Sequence, residues 1–162
     1  MANIRRLGSV ALLAAASIAG SAVAQNTFDM LVVPLGLVAE DQTPSGRFLT
    51  AQETKPILNA TKANWVAVRE FDGQDLIYVT HLWSWRCGLA ALAIGVNGLP
   101  LQNWTLPACH ADTASPNAIL EGDGNPFFPM PLGSVHTVEI QIVYDDLSMD
   151  RAQFNRQGVL IP

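Results

Sequence analysis

FDGQDLIYVTHLWSWRCGLAALAIGVNGLPLQNWTLPACH, residues 71–110, decides how the rest of the chain reads. It holds both cysteines (Cys87, Cys109), three of the four tryptophans (Trp83, Trp85, Trp104) and two of the three histidines (His81, His110). Two dipeptides punctuate it, Asp72-Gly73 and Asn97-Gly98. Both suit a two-residue hairpin turn, in which each central position takes a positive φ. Residues 65–71 and 75–82 flank the first turn as strands, and residues 89–96 and 99–104 flank the second, with Pro100 placing the last arm at a sheet edge. Strand alternation sets Ile77, Val79, His81, Trp83 and Trp85 on one face of the arm after Asp72-Gly73. Its other face is also apolar, which predicts a central strand covered on both sides.

Outward from this stretch, residues 28–33 read as a first strand ended by Pro34, and residues 35–47 as a loop. Thr50 and Glu53 have the spacing of a capping box, which predicts one helix over about 51–64 despite Pro56 within it. Residues 107–131, rich in Pro, Asn, Asp and Gly, read as a long irregular connection with a short strand at 118–120. Residues 135–144, 149–155 and 159–161 close the chain as strands. Seven or so short strands, buried tryptophan and a disulfide predict a mainly β fold: an immunoglobulin-like antiparallel β-sandwich with one N-terminal helix.

The start of the chain has the form of a secretory signal. Arg5 and Arg6 precede an apolar run over residues 7–20, and Ala22-Val23-Ala24 forms a small-residue cleavage site. Cleavage after residue 24 leaves one domain, residues 25–162, in a periplasmic or secreted location. That compartment favours a Cys87–Cys109 disulfide, which closes a loop around the Asn97-Gly98 hairpin and contributes about 3 kcal/mol in the chain-entropy model. The signal carries two of the nine basic residues and none of the fourteen acidic ones, so the mature chain has a net charge of −7. Such a surface repels phosphate backbones and anionic lipid, which argues against a nucleic-acid or membrane-surface partner. The run over residues 7–20 is too short to span a bilayer, and we expect no transmembrane segment after cleavage.

Chemistry-bearing constellations are sparse. His81, Cys87, Cys109 and His110 are zinc-type ligands, but along a straight strand His81 and Cys87 stand ~20 Å apart, and a disulfide removes both thiolates. No Gly-x-Ser-x-Gly elbow, His-Glu-x-x-His pair or phosphate loop is present. Glu121, Asp123, Asn125 and the Asp145-Asp146 pair lack the spacing of a calcium loop and read as solvated turn carboxylates. We therefore expect no catalytic residue, metal or cofactor. The ligand candidates are Trp83, Trp85 and Trp104, whose flat faces suit sugar rings or small molecules, with Arg86 beside them to meet an acidic group or pair with a carboxylate. Asn59 and Asn103 head formal N-glycosylation acceptors.

Three segments carry a resemblance: GQDLIYVTHLWSWRCGL (73–89), VNGLPLQNWTLPACHADTASPNAI (96–119) and PLGSVHTVEIQIVYDDLSMDRAQFNR (131–156). Together they resemble a group of small exported proteins of alphaproteobacteria, which implies a Gram-negative periplasmic or secreted location and no particular activity. The functional expectation is a non-enzymatic domain engaging an envelope protein or other cell-envelope component. The alternatives are a glycan or small-molecule module using the tryptophans, and a hydrolase or metalloenzyme around His81 or His110.

Overall fold

The computed structural model describes residues 27–162, so the signal segment expected over residues 1–24 lies outside the described residues. The architecture is mainly β, with two antiparallel sheets, two helices and a Cys87–Cys109 disulfide. In chain order the elements are α1 (Ala51–Ala60), β1 (Ala67–Phe71), β2 (Gln74–Tyr78), α2 (Thr80–Trp83), β3 (Leu89–Val96), β4 (Gln102–Trp104), β5 (Phe127–Pro131), β6 (Thr137–Tyr144), β7 (Met149–Asn155) and β8 (Leu160–Ile161). The larger sheet runs β4-β3-β6-β7-β8 and the smaller β1-β2-β5. Both turn dipeptides reverse the chain with positive φ, but only Asp72-Gly73 makes a two-residue loop, Phe71 pairing directly with Gln74; the arm expected over 99–104 pairs only as β4, from Ile94↔Gln102 onward. Asp72 and Gly73 have φ of 49° and 72°, and Asn97 and Gly98 of 56° and 75°.

Period-two alternation builds the core. Leu92, Ile94 and Val96 of β3, Val138, Ile140 and Ile142 of β6, and Ala152 and Phe154 of β7 form one buried face of the larger sheet. Against it pack Ala51 and Leu58 of α1, Ile77 of β2, and Trp65, Val79, Leu82 and Trp83. Trp65 is fully buried, and its indole N–H donates to the Leu58 carbonyl at 3.0 Å. On the opposite face of β6 the buried Gln141 both donates to and accepts from the Asp29 backbone, at 2.9 and 2.7 Å. This holds the N-terminal segment on the sheet, where Val32 packs with Ala93 and Leu101. The segment contains a 3-10 turn, Met30–Val32, in place of the expected first strand.

Other expectations also need correcting. The helix over 51–64 is α1 as far as Ala60, followed by a separate 3-10 turn, Lys62–Asn64. The anticipated strand over 75–82 ends at Tyr78, where Val79 donates its N–H to the Pro126 carbonyl and the chain turns into α2. An apolar run suits a strand or a helical turn equally, so periodicity could not separate them. No strand forms at 118–120; the strand of this region is β5, which carries Pro129 and Pro131. As the outer strand of its sheet, β5 turns both missing N–H groups to its open edge. β2, by contrast, is the centre of its sheet as expected. The disulfide joins the turn before β3 to the loop after β4, unlike the inter-sheet bridge of immunoglobulin domains.

The capping box is replaced by a cap from a distant turn. Thr50 donates its hydroxyl to Glu53 Oε2 at 3.2 Å, and the Glu53 carboxylate instead accepts the amides of Ser45, Gly46 and Leu49 at 3.1, 2.6 and 2.9 Å. The free amides at the start of α1 donate elsewhere: Ala51 to Asp145 Oδ1 at 2.8 Å and Gln52 to Gln42 Oε1 at 3.0 Å. Asp145 lies in the β6–β7 turn, and its own N–H donates to the Gly88 carbonyl at 3.1 Å. One turn residue thereby locks α1 to the larger sheet. Gly88 is required at this contact, because a Cβ there would meet the Thr50 carbonyl oxygen at 2.9 Å.

At the opposite end Asp75 is fully buried and accepts both Arg156 Nη atoms (2.5 and 2.7 Å) and the amides of Gly133 and Val135 (3.1 and 3.0 Å). Asn97 binds the same region, donating to the Ser134 carbonyl and accepting from His136 and Thr137. Strand β2 and the β3–β4, β5–β6 and β7–β8 connections are thus tied together at one end.

Asp145→Ala is expected to lower unfolding stability by about 1–2 kcal/mol, the usual loss of a helix cap, whereas Asp145→Asn, which keeps the Oδ1 acceptor, should lose less than half as much. Urea denaturation of the two variants checks this; equal losses would show that the cap is not what Asp145 contributes.

Candidate functional site: an aromatic cavity framed by a buried arginine

A concavity of about 750 Å3 opens between the β3–β4 hairpin and β5. Its wall is mostly apolar, with Trp83, Trp104, Ile94, Leu106, Phe128 and Met130 among the lining residues. Polar groups come from Gln102, Asn103, Asp123 and Asn125. Trp104 stands at the centre of an aromatic row. Its ring is edge-on to Trp83 with centroids 6.2 Å apart and edge-on to Phe128 at 5.1 Å, with interplanar angles of 72° in both pairs. Such perpendicular pairs are a favoured geometry of aromatic quadrupoles. Trp83 is almost wholly buried, Trp104 partly so, and the Trp83 indole N–H has no partner among the described residues.

The structure divides the three candidate tryptophans. Trp83 and Trp104 meet at the cavity because the strand ends at Tyr78 and α2 swings Trp83 into the core. Trp85 points to a separate cleft, where its ring lies edge-on to Phe48 at 5.3 Å. The common face expected for Trp83 and Trp85 therefore does not form.

Arg86 supplies the frame. Its Nε donates to the Ala108 carbonyl at 3.0 Å, Nη1 to the carbonyls of Trp83 and Asn117 at 3.0 and 2.9 Å, and Nη2 to Ala118 O and Asp123 Oδ2 at 2.9 and 3.2 Å. A guanidinium has five N–H donors and all five are engaged, which leaves none for an acidic ligand. Of the two uses anticipated for Arg86, pairing with a carboxylate is the one present, within a larger network. Asp123 in turn accepts the Leu120 amide at 2.9 Å and His110 Nε2 at 3.0 Å. The Leu120 amide, the His110 bond and the Arg86 charge together hold the Asp123 carboxyl below the usual carboxylate range, against the upward push of burial. The disulfide ties the same two segments, with Cα atoms 4.9 Å apart.

The histidines serve separate places. His110 braces Asp123, while His81 Nε2 lies 2.7 Å from Thr61 Oγ1. That hydroxyl donates its only hydrogen to the Ile57 carbonyl, so His81 is the donor to Thr61 and its Nε2 carries a proton. Burial lowers the His81 pKa. Among the described residues no group of three or more His, Cys, Asp or Glu side chains is arranged to hold a metal ion. Phe128 and Met130 were missed as lining residues because residues 107–131 read as irregular; Phe127-Phe128 ahead of alternating prolines was the available signal for an edge strand. No protein-family model, curated protein or solved structure matches this chain.

The charge network sets a pH dependence. The folded pKa of Asp75 is depressed, chiefly by its Arg156 hydrogen bonds, and that of Asp123 by the contacts above. At Glu53 burial pushes the carboxyl up, but the amides of Leu49, Gly46 and Phe48 outweigh it and bring the value down to about 2. A depressed carboxylate stabilises the fold above its unfolded pKa of ~4 and loses that contribution as pH falls through the folded value. The urea midpoint is therefore expected to fall steadily from about pH 5 towards pH 2. Lowered His81 acts in the same sense, beginning near its unfolded value of ~6.5. Asp123→Asn should flatten the acid slope; an unchanged slope would remove Asp123 from the account.

Proposed function

We propose that the chain is an exported binding module of the cell envelope that holds a compact, uncharged and largely apolar molecule in the cavity beside Trp104. The observation that carries this reading is a preformed concavity walled by the Trp83–Trp104–Phe128 row, with amide groups of Gln102, Asn103 and Asn125 at its polar positions. Ligand sites combine an apolar wall with a few directional polar groups in this way. Binding fits better than catalysis, because the wall's one carboxylate, Asp123, is already held by Arg86, His110 and Leu120. The same cavity favours a small molecule over the envelope-protein partner as the primary ligand.

Export rests on the N-terminal pattern of Arg5-Arg6, the apolar run and Ala22-Val23-Ala24. The Cys87–Cys109 bridge supports an oxidising compartment such as a periplasm. The resemblance to small exported proteins of alphaproteobacteria agrees with that location. No helix of the described residues is long and apolar enough to cross a membrane.

Titration with N-phenyl-1-naphthylamine, a neutral apolar fluorophore, tests the cavity directly. One probe per chain should bind, with Trp104→Ala weakening it by about tenfold or more and Trp85→Ala leaving it unchanged. Absence of binding, or binding indifferent to Trp104→Ala, would contradict the reading.

A further inference from the structure

Phe48 is held in a conformation that an aromatic L-residue rarely adopts, with φ of 58°. The left-handed region crowds Cβ against the following carbonyl, so the position costs stability unless its surroundings enforce it. Two anchors enforce it here. On one side the 45–49 loop wraps the Glu53 carboxylate through the amides of Ser45, Gly46 and Leu49. On the other, Asn117 Nδ2 donates to the Phe48 carbonyl at 3.0 Å while Asn117 Oδ1 accepts the Cys87 amide at 3.1 Å. The disulfide turn and the loop following it thereby fix a strained residue that is itself 42% exposed.

Phe48 makes little of the core, and its ring instead stands at 77° to Trp85, forming an aromatic corner. Beside that corner lies a cleft of about 370 Å3 whose lining includes Arg47, Ser84, Ser115 and Asn117. Arg47 reaches across to donate Nη2 to the Thr113 carbonyl, which sets a guanidinium at the cleft's margin. The volume suits a single ring or a short saccharide rather than a peptide or a folded partner. The chemistry is that of a surface with apolar aromatic area and a hydroxyl and guanidinium rim. A pyranose has the matching form, a C–H face surrounded by hydroxyls that both donate and accept.

We propose that the Phe48–Trp85 corner is a glycan-binding site, separate from the Trp104 cavity, which takes a pyranose ring against its aromatic groups while Arg47, Ser84 and Ser115 meet the hydroxyls. Backbone strain at Phe48 is the structural cost of presenting that ring. The site is independent of the cavity reading, since the two share no lining residue.

The test uses the full mature chain with chitotriose, cellotriose and maltotriose at millimolar concentration, following the Trp85 indole N–H by heteronuclear NMR. At least one saccharide should shift that resonance saturably. Read on the saccharide by saturation-transfer NMR, which does not depend on the Trp85 signal, Trp85→Ala and Phe48→Gly should each weaken binding by about tenfold or more, while Trp104→Ala leaves it intact. Phe48→Gly should also keep or raise the melting temperature, because glycine adopts this φ without strain. The proposal is overturned if none of the three saccharides perturbs Trp85. It is overturned equally if binding survives both corner variants, or if Phe48→Gly retains binding and melts lower, as loss of a purely structural packing residue would.

Discussion

A buried guanidinium is tolerated only where every donor finds an acceptor, and Arg86 meets that condition with four backbone carbonyls and one carboxylate. Its side chain is wholly shielded from solvent. Four of the five acceptors lie at residues 108, 117, 118 and 123, so a connection with little regular structure is fixed by one side chain from the turn before β3. The fifth, Trp83 O, is available in the right place because the chain forms α2 instead of continuing β2. Removing Arg86 would leave the Asp123 carboxylate buried with only His110 and the Leu120 amide, and several carbonyls without donors. The Cys87–Cys109 bridge links the same segments covalently, one residue further along from Arg86.

Both concavities depend on this frame. Asp123, on one side of the framed connection, lines the Trp104 cavity; Asn117, on another, lines the Trp85 cleft and pins Phe48. Alternate residues of the Trp83-Ser84-Trp85 run supply an indole to each. The remaining structure keeps the frame in place. Asp145 joins α1 to the β6–β7 turn and, through Gly88, to the disulfide turn, while Asp75, Arg156 and Asn97 close the far end.

What could be read from the sequence was what short-range chemistry dictates. Asp72-Gly73 and Asn97-Gly98 marked both hairpins; residues 89–96 and 149–155 were placed as strands with their observed bounds; and the cysteine pairing followed from two cysteines in a chain read as exported. What escaped depends on distant partners. The end of β2 at Tyr78 reflects the Pro126 carbonyl and the use of Trp83 O by Arg86, neither visible in an apolar run. Thr50 and Glu53 had capping-box spacing, but Asp145, more than ninety residues away, took the helix amide. β5 was hidden by prolines that an edge strand accommodates. At the site, Trp83, Trp85 and Trp104 were singled out by residue type, yet their division between two concavities, and the parts played by Phe48 and Phe128, arise only from packing.

Arg86 holds residues 105–126 as a fixed wall where a mobile loop would otherwise stand. Residue-resolved amide hydrogen exchange on the oxidised protein is the test. The amides of His110, Ala118, Leu120 and Asp123 donate to Pro116 O, Ser115 O, Asp123 Oδ2 and Leu120 O, and should exchange far more slowly than their intrinsic rates. They should also lose that protection together in Arg86→Met. Exchange of these four amides at unprotected rates in the wild-type protein would contradict the account.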